Sequence, residues 1–144
     1  MSGLKLLEYK MIQLKSLILE KKTVSIDFPG MEGFVLDLCY LGPEALKKLR
    51  ERCLVTKIDK KTRAVTQEID DEKFGREFSS SVIKGWKGFK VKFLSELMLV
   101  DVTELDPEEE VEFNVENAHA LFTTSDSFAR WLNEVAFDLS NFRN

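Results

Sequence analysis

The chain has 144 residues, enough for one domain with its own core; 32% are charged and 44% hydrophobic, a globular rather than disordered balance. The net charge is −4, from 21 basic and 25 acidic residues interleaved along most of the chain. A weakly acidic protein has no general attraction to phosphate backbones, so nonspecific nucleic-acid binding is disfavoured.

Two cysteines, Cys39 and Cys53, are too few for a disulfide scaffold and read as reduced core thiols. With one histidine, His119, they do not supply the four ligands of a zinc site. Lysine or glutamate interrupts every apolar stretch before it reaches membrane-spanning length, and Glu8, Lys10 and Lys15 break any signal-peptide core. The expectation is a cytoplasmic protein with no cofactor, no metal and no membrane partner.

In chain order, Leu4, Leu7, Met11, Leu14 and Ile18 recur at spacings of three and four, which predicts an amphipathic helix over residues 1–20. Its stripe either packs on its own domain or is offered to a partner. From 22 to 41 the period becomes two. Val24, Ile26 and Phe28 alternate with Thr23, Ser25 and Asp27, and Phe34, Leu36 and Leu38 alternate with Val35, Asp37 and Cys39. Pro29, Gly30 and Gly33 lie between, so the pair reads as a β-hairpin with one buried face.

Pro43 suits the first turn of a helix whose inner face is Ala45, Leu46, Leu49, Cys53 and Leu54. Residues 56–69 are polar and basic and read as a solvated connection, with a short strand over 64–69 as an option. No aromatic residue interleaves these cations, so they lack the signature of a nucleic-acid patch. Asp70 or Asp71 caps the next helix, whose apolar side is Phe74, Phe78 and Val82. Ser79, Ser80 and Ser81 have no base at a diagnostic spacing.

Gly85-Trp86-Lys87-Gly88 reads as a turn that closes this helix and tucks the indole into the core; it lacks the lysine and hydroxyl of a phosphate loop. Phe89, Val91 and Phe93 alternate with Lys90 and Lys92 as in a strand, while Leu94, Leu97 and Met98 fit a helical turn equally well. Residues 101–112 hold Asp101, Glu104, Asp106, Glu108, Glu109, Glu110 and Glu112 around Pro107, and read as a solvated acidic loop. The calcium-loop order is absent, and a two-metal nuclease would need convergent acids from separate elements. The loop's sign opposes that of residues 57–63, so pairing within or between chains is plausible.

Two helices close the chain. The first begins at Asn114 or Glu116 and turns Ala118, Leu121 and Phe122 inward; Thr124-Ser125-Asp126 caps the second. The second carries Phe128, Trp131, Leu132, Val135, Phe137 and Leu139, with Phe142 near its end, an aromatic stripe that reads as core. His119 reads as a helix-face residue. The fold expected is α+β: one mostly helical domain over 1–144, with a small antiparallel hairpin in the N-terminal half and 43–144 mostly helical.

The order "VIKGWKGFKV", acidic loop, "VEFNVENAHALF", "DSFARWLNEVAFDLSNFR" resembles the tail-assembly chaperones of long-tailed bacteriophages and prophages over about 60 residues. The matching motif residues are Trp86, Gly88, Asn117, Phe128, Trp131, Asn141 and Phe142. They are mostly core types, so the likeness concerns fold before function. The N-terminal helix has no counterpart in the family pattern. The resemblance implies a non-enzymatic protein of the host cytoplasm that keeps the tape-measure protein soluble during tail-tube polymerisation and is absent from the mature virion. It also brings the tail-tube protein and self-association into view as partners. Leu4, Leu7, Met11, Leu14 and Ile18 are then candidates for the partner-binding surface. A structural tail protein or an oligomeric adaptor of the same fold is the alternative.

Overall fold

The structure, a computed structural model, describes residues 11–143. Strands β1 (Lys21–Asp27) and β2 (Val35–Leu41) form the expected hairpin. Their register sets Val24 opposite Leu38 and Ile26 opposite Leu36. Residues directly opposite one another share a face, so these four side chains line one side of the sheet. Leu36 and Leu38 are fully buried there. On the other side Thr23, Ser25 and Asp27 are exposed, and the Ser25 hydroxyl donates to Asp37 Oδ1 at 2.6 Å.

Helix α1 (Pro43–Arg52) begins at its proline. It stops at Cys53, earlier than expected, and Leu54 opens a strand. Strands β3 (Leu54–Ile58) and β4 (Val65–Ile69) pair as a second antiparallel ribbon, separate from the first sheet. Helix α2 (Asp71–Val82) follows, with the Asp70 carboxylate accepting the Lys73 N–H as its cap.

The chain then passes straight from α2 into β5 (Ile83–Lys87), which pairs with β2 as the third strand of the first sheet. The expected turn at 85–88 is therefore corrected: residues 85–87 are strand and only Gly88 lies beyond it. The register slips between Asp37 and Leu38, so that Gly85 faces Asp37 while Ile83 faces Leu38. The bulge brings Ile83 and Trp86, three residues apart, to the same buried side. That spacing mimics a helix in the sequence and conceals the strand.

Helix α3 (Val91–Leu97) replaces the strand that Phe89, Val91 and Phe93 suggested. Its two turns bury Val91, Phe93 and Leu97, so burial on more than one side hides the helical period. Helices α4 (Val115–Thr124) and α5 (Asp126–Ala136) are capped by Asn114 and Ser125, among the candidates the sequence offered, and a 3-10 turn at Leu139–Phe142 returns the chain to β1.

The expected architecture, mostly helical with one small hairpin, is thus corrected. Among the described residues there are five α-helices and five strands, the strands in two sheets. Helices α2 and α5 pack on the buried side of the first sheet. The core between them is aromatic: Phe28 meets Phe34, Phe128 and Trp131, and Phe34 stacks on Phe89 with ring centroids 4.4 Å apart. Offset and edge-on ring pairs add to the apolar burial of such a core.

The N-terminal helix is corrected in part. Leu4 and Leu7 lie outside the described residues. Residues 11–20 hold a single 3-10 turn, Leu14–Ser16, and no α-helix. A lone amphipathic helix is marginal in water until its apolar face meets a surface, and Met11, Leu14 and Ile18 meet none here: all three are exposed.

Candidate interaction surfaces

The motif residues have structural work in the molecule. Trp86 is half-buried; its Nε1–H donates to the Val111 carbonyl at 2.9 Å, and its ring meets Phe34, Phe89 and Phe113 edge-on. This ties β5 to the end of the acidic loop. Gly88 follows at φ +71, a conformation open to glycine, and a Cβ there would overlap the Gly33 carbonyl oxygen. Its N–H donates to Glu110 Oε1 at 2.6 Å.

Asn117 Nδ2 donates to the Glu112 carbonyl at 2.9 Å, fastening the same end of the loop to α4. Phe128 is fully buried and Trp131 packs edge-on to Phe28 at 4.7 Å. Asn141 Nδ2 donates to the Val135 carbonyl at 3.2 Å, which folds the last turn against α5 and brings Phe142 to Tyr40. The motif therefore describes how the C-terminal half is latched.

Three surfaces remain open. The first is the segment 11–19, where Met11, Ile12, Leu14, Leu17, Ile18 and Leu19 are all exposed, Met11 at 84%. It is anchored where the Gly42 N–H donates to the Glu20 carbonyl at 2.8 Å.

The second is the β3–β4 ribbon, exposed along every residue of both strands. Sequence reasoning missed it as a paired unit. With neither face buried it has no burial pattern to read. Its turn contains no glycine or proline; Arg63 takes the left-handed conformation instead, at φ +64. The Asp59 carboxylate organises that turn by accepting the Lys61 and Thr62 N–H groups at 2.7 and 3.1 Å. These two bonds, the Thr62 one first, hold its pKa below the usual value.

The third is the acidic loop. Glu108 accepts from Lys90 and Lys92 at 2.7 and 3.0 Å, and both bonds hold its carboxyl below the usual range, Lys90 foremost. The loop is therefore pinned to the start of α3. Among the described residues no ion pair joins it to 57–63; Lys57 pairs across its own ribbon with Glu68 at 2.9 Å. No group of three or more His, Cys, Asp and Glu side chains among the described residues is placed to hold a metal. His119 is half-buried on α4, with Nδ1 unpartnered. No described helix is long and apolar enough to cross a membrane.

These features define a small α+β domain that surrounds an aromatic core with an apolar segment, a bare ribbon and an acidic loop. The sequence profile of the YdaY prophage protein family matches residues 43–144, and the chain belongs to that family. The match covers everything from α1 onward, ribbon and acidic loop included. The prophage origin that the resemblance implied is thereby shown; the match does not reach a tail-assembly subclass. Searches of curated proteins and of solved structures gave no match.

Proposed function

We propose that this prophage protein is a non-enzymatic tail-assembly chaperone that binds the tape-measure protein and keeps it soluble until tail-tube subunits enclose it. The observation that carries the reading is the exposed apolar segment at 11–19, six large side chains within nine residues. Exposed apolar patches of this kind mark partner sites. The motif order in the C-terminal third adds the resemblance to the chaperone family.

The mechanism is a coupled fold. The sequence of 1–20 has a helix period, yet 11–20 shows one 3-10 turn. A long helical client with an exposed apolar stripe supplies the missing surface, and the segment winds into a helix against it. Tube subunits that compete for the same stripe then release the chaperone by mass action.

The test is co-expression with the tape-measure protein of the same prophage, followed by tagged pull-down. A soluble complex is expected with the native chain. Alanine at Met11, Leu14 and Ile18 is expected to lose capture while the isolated domain stays folded. Undiminished capture by that variant would remove the segment from the mechanism. A structural tail protein is the second reading, favoured by the bare ribbon. Mass spectrometry of purified particles separates the two, because a chaperone is missing from them.

A further inference from the structure

The ribbon and the acidic loop are complementary in charge, and among the described residues no ion pair joins them within one chain. Along the ribbon, Leu54 is opposite Ile69 and Ile58 is opposite Val65. Alternate residues share a face, so these two apolar pairs lie on one side of the ribbon, with the polar Thr56–Gln67 pair between them. All four side chains are exposed. At the tip, Lys60, Lys61 and Arg63 surround the single carboxylate of Asp59, which the turn's own N–H groups already engage. A two-stranded ribbon standing alone in water is marginally stable, and this one has open strand edges and two exposed apolar pairs on one face.

The loop has the converse composition. Residues 101–112 contain seven carboxylates and no cation. Glu108 is taken by Lys90 and Lys92, Glu110 by the Gly88 N–H, Asp101 by Thr103 and Asp106 by the Glu108 N–H. The carboxylates of Glu104, Glu109 and Glu112 have no partner among the described residues. Two apolar side chains are also exposed in or beside the loop: Leu99, two residues before it, fully, and Leu105 about half. The loop is firmly held for a partner, pinned by the Glu108 pairs at one place and by Trp86 and Asn117 at its end.

From this complementarity we infer that the ribbon of one copy docks on the acidic loop of a second copy, the cationic tip against Glu104, Glu109 and Glu112 and the apolar pairs against Leu99 and Leu105. Each chain carries both halves of the contact. Two copies that exchange ribbons reciprocally close as a dimer, and a non-reciprocal contact continues into a ring or a chain. The inference is independent of the tape-measure reading, because it concerns the chain alone.

The test is sedimentation equilibrium of the full chain in low and high salt, with two charge-reversed variants. One carries Lys60→Glu, Lys61→Glu and Arg63→Asp, aspartate being tolerated in the left-handed position. The other carries Glu104→Lys, Glu109→Lys and Glu112→Lys. The native chain is expected to self-associate, at least tenfold more weakly in high salt. Each variant alone is expected to be monomeric with an unchanged circular-dichroism spectrum. An equimolar mixture of the two is expected to associate again, since the reversed tip of one now matches the reversed loop of the other. A native chain that stays monomeric at every concentration overturns the inference and leaves the ribbon to a different partner. Association that survives tip reversal, or a mixture that fails to recover it, overturns it equally.

Discussion

Two glycines show how one residue type has opposite consequences in two places. Gly88 sits at positive φ against the Gly33 carbonyl, at the junction of β5 and the loop. Gly88→Ala is expected to destabilise the protein by more than about 2 kcal/mol, because both the backbone strain and the overlap must be relieved. Gly75 lies inside α2 with ordinary helical geometry, and a Cβ there would rest 3.8 Å from the Phe122 ring. Gly75→Ala is expected to stabilise by about 0.5–1 kcal/mol through the lower entropy of the unfolded chain. Urea denaturation of the two variants checks both signs. Neither role is visible in the sequence: "GWKG" and "KFGRE" hold glycines with nothing to mark which one is indispensable. What separates them is the approach of a distant hairpin loop to one and not the other.

Among the elements, those with chemical punctuation were legible. Pro43 opens its helix as expected, and Asp70, Asn114 and Ser125, each one of the alternatives the sequence offered, cap theirs. Hairpin β1–β2 was equally clear, because β1 alternates strictly between half-buried and exposed side chains. Ser125 is the most demanding of these caps. It is 1% exposed, and its Oγ accepts the Phe128 N–H at 3.2 Å beneath a fully buried ring. Ser125→Ala is expected to cost about 1–2 kcal/mol, seen as a lower urea midpoint with an unchanged slope. The elements that were not legible lacked a single buried side. The ribbon β3–β4 is exposed on both, α3 is buried on more than one, and the bulge in β5 breaks the period of two. Residues 11–20 show the reverse case, a clear helical period with no surface on which to fold.

Across the whole molecule, the charges set a pH window. Asp59, Asp101, Glu108 and Asp138 all have pKa values held below the usual carboxylate range. The causes are the Thr62 and Lys61 N–H groups for Asp59, the Thr103 hydroxyl and N–H for Asp101, Lys90 and Lys92 for Glu108, and the Ser140 hydroxyl and N–H for Asp138. A group depressed in the folded state stabilises it above its unfolded pKa, and that contribution disappears as pH falls through the folded value. Lys57 and Lys90 are raised, by Glu68 and Glu108, so their contributions are complete below the ordinary lysine range and fade as pH rises through the raised values. Stability is therefore expected to be flat around neutrality and to decline on both sides. Glu108→Gln is expected to flatten part of the acid decline, measured as the melting temperature against pH. Each pair is exposed and individually weak, so the slope rather than the neutral stability is the readout.

The two buried thiols divide the molecule for a different kind of observer. Cys39 lies within the first sheet on β2, and Cys53 lies at the root of the ribbon, where its carbonyl accepts the Asp70 N–H at 2.8 Å. Both are closed to reagents in the native state, and burial, with Glu77 next, raises the Cys53 pKa. A thiol-reactive dye therefore acts as two clocks in one chain: modification at Cys53 times the opening of the ribbon's root, and modification at Cys39 times the opening of the sheet. If the Cys53 clock runs faster, the ribbon detaches as a unit while the sheet stays shut. A copy docked on the ribbon would slow that clock alone.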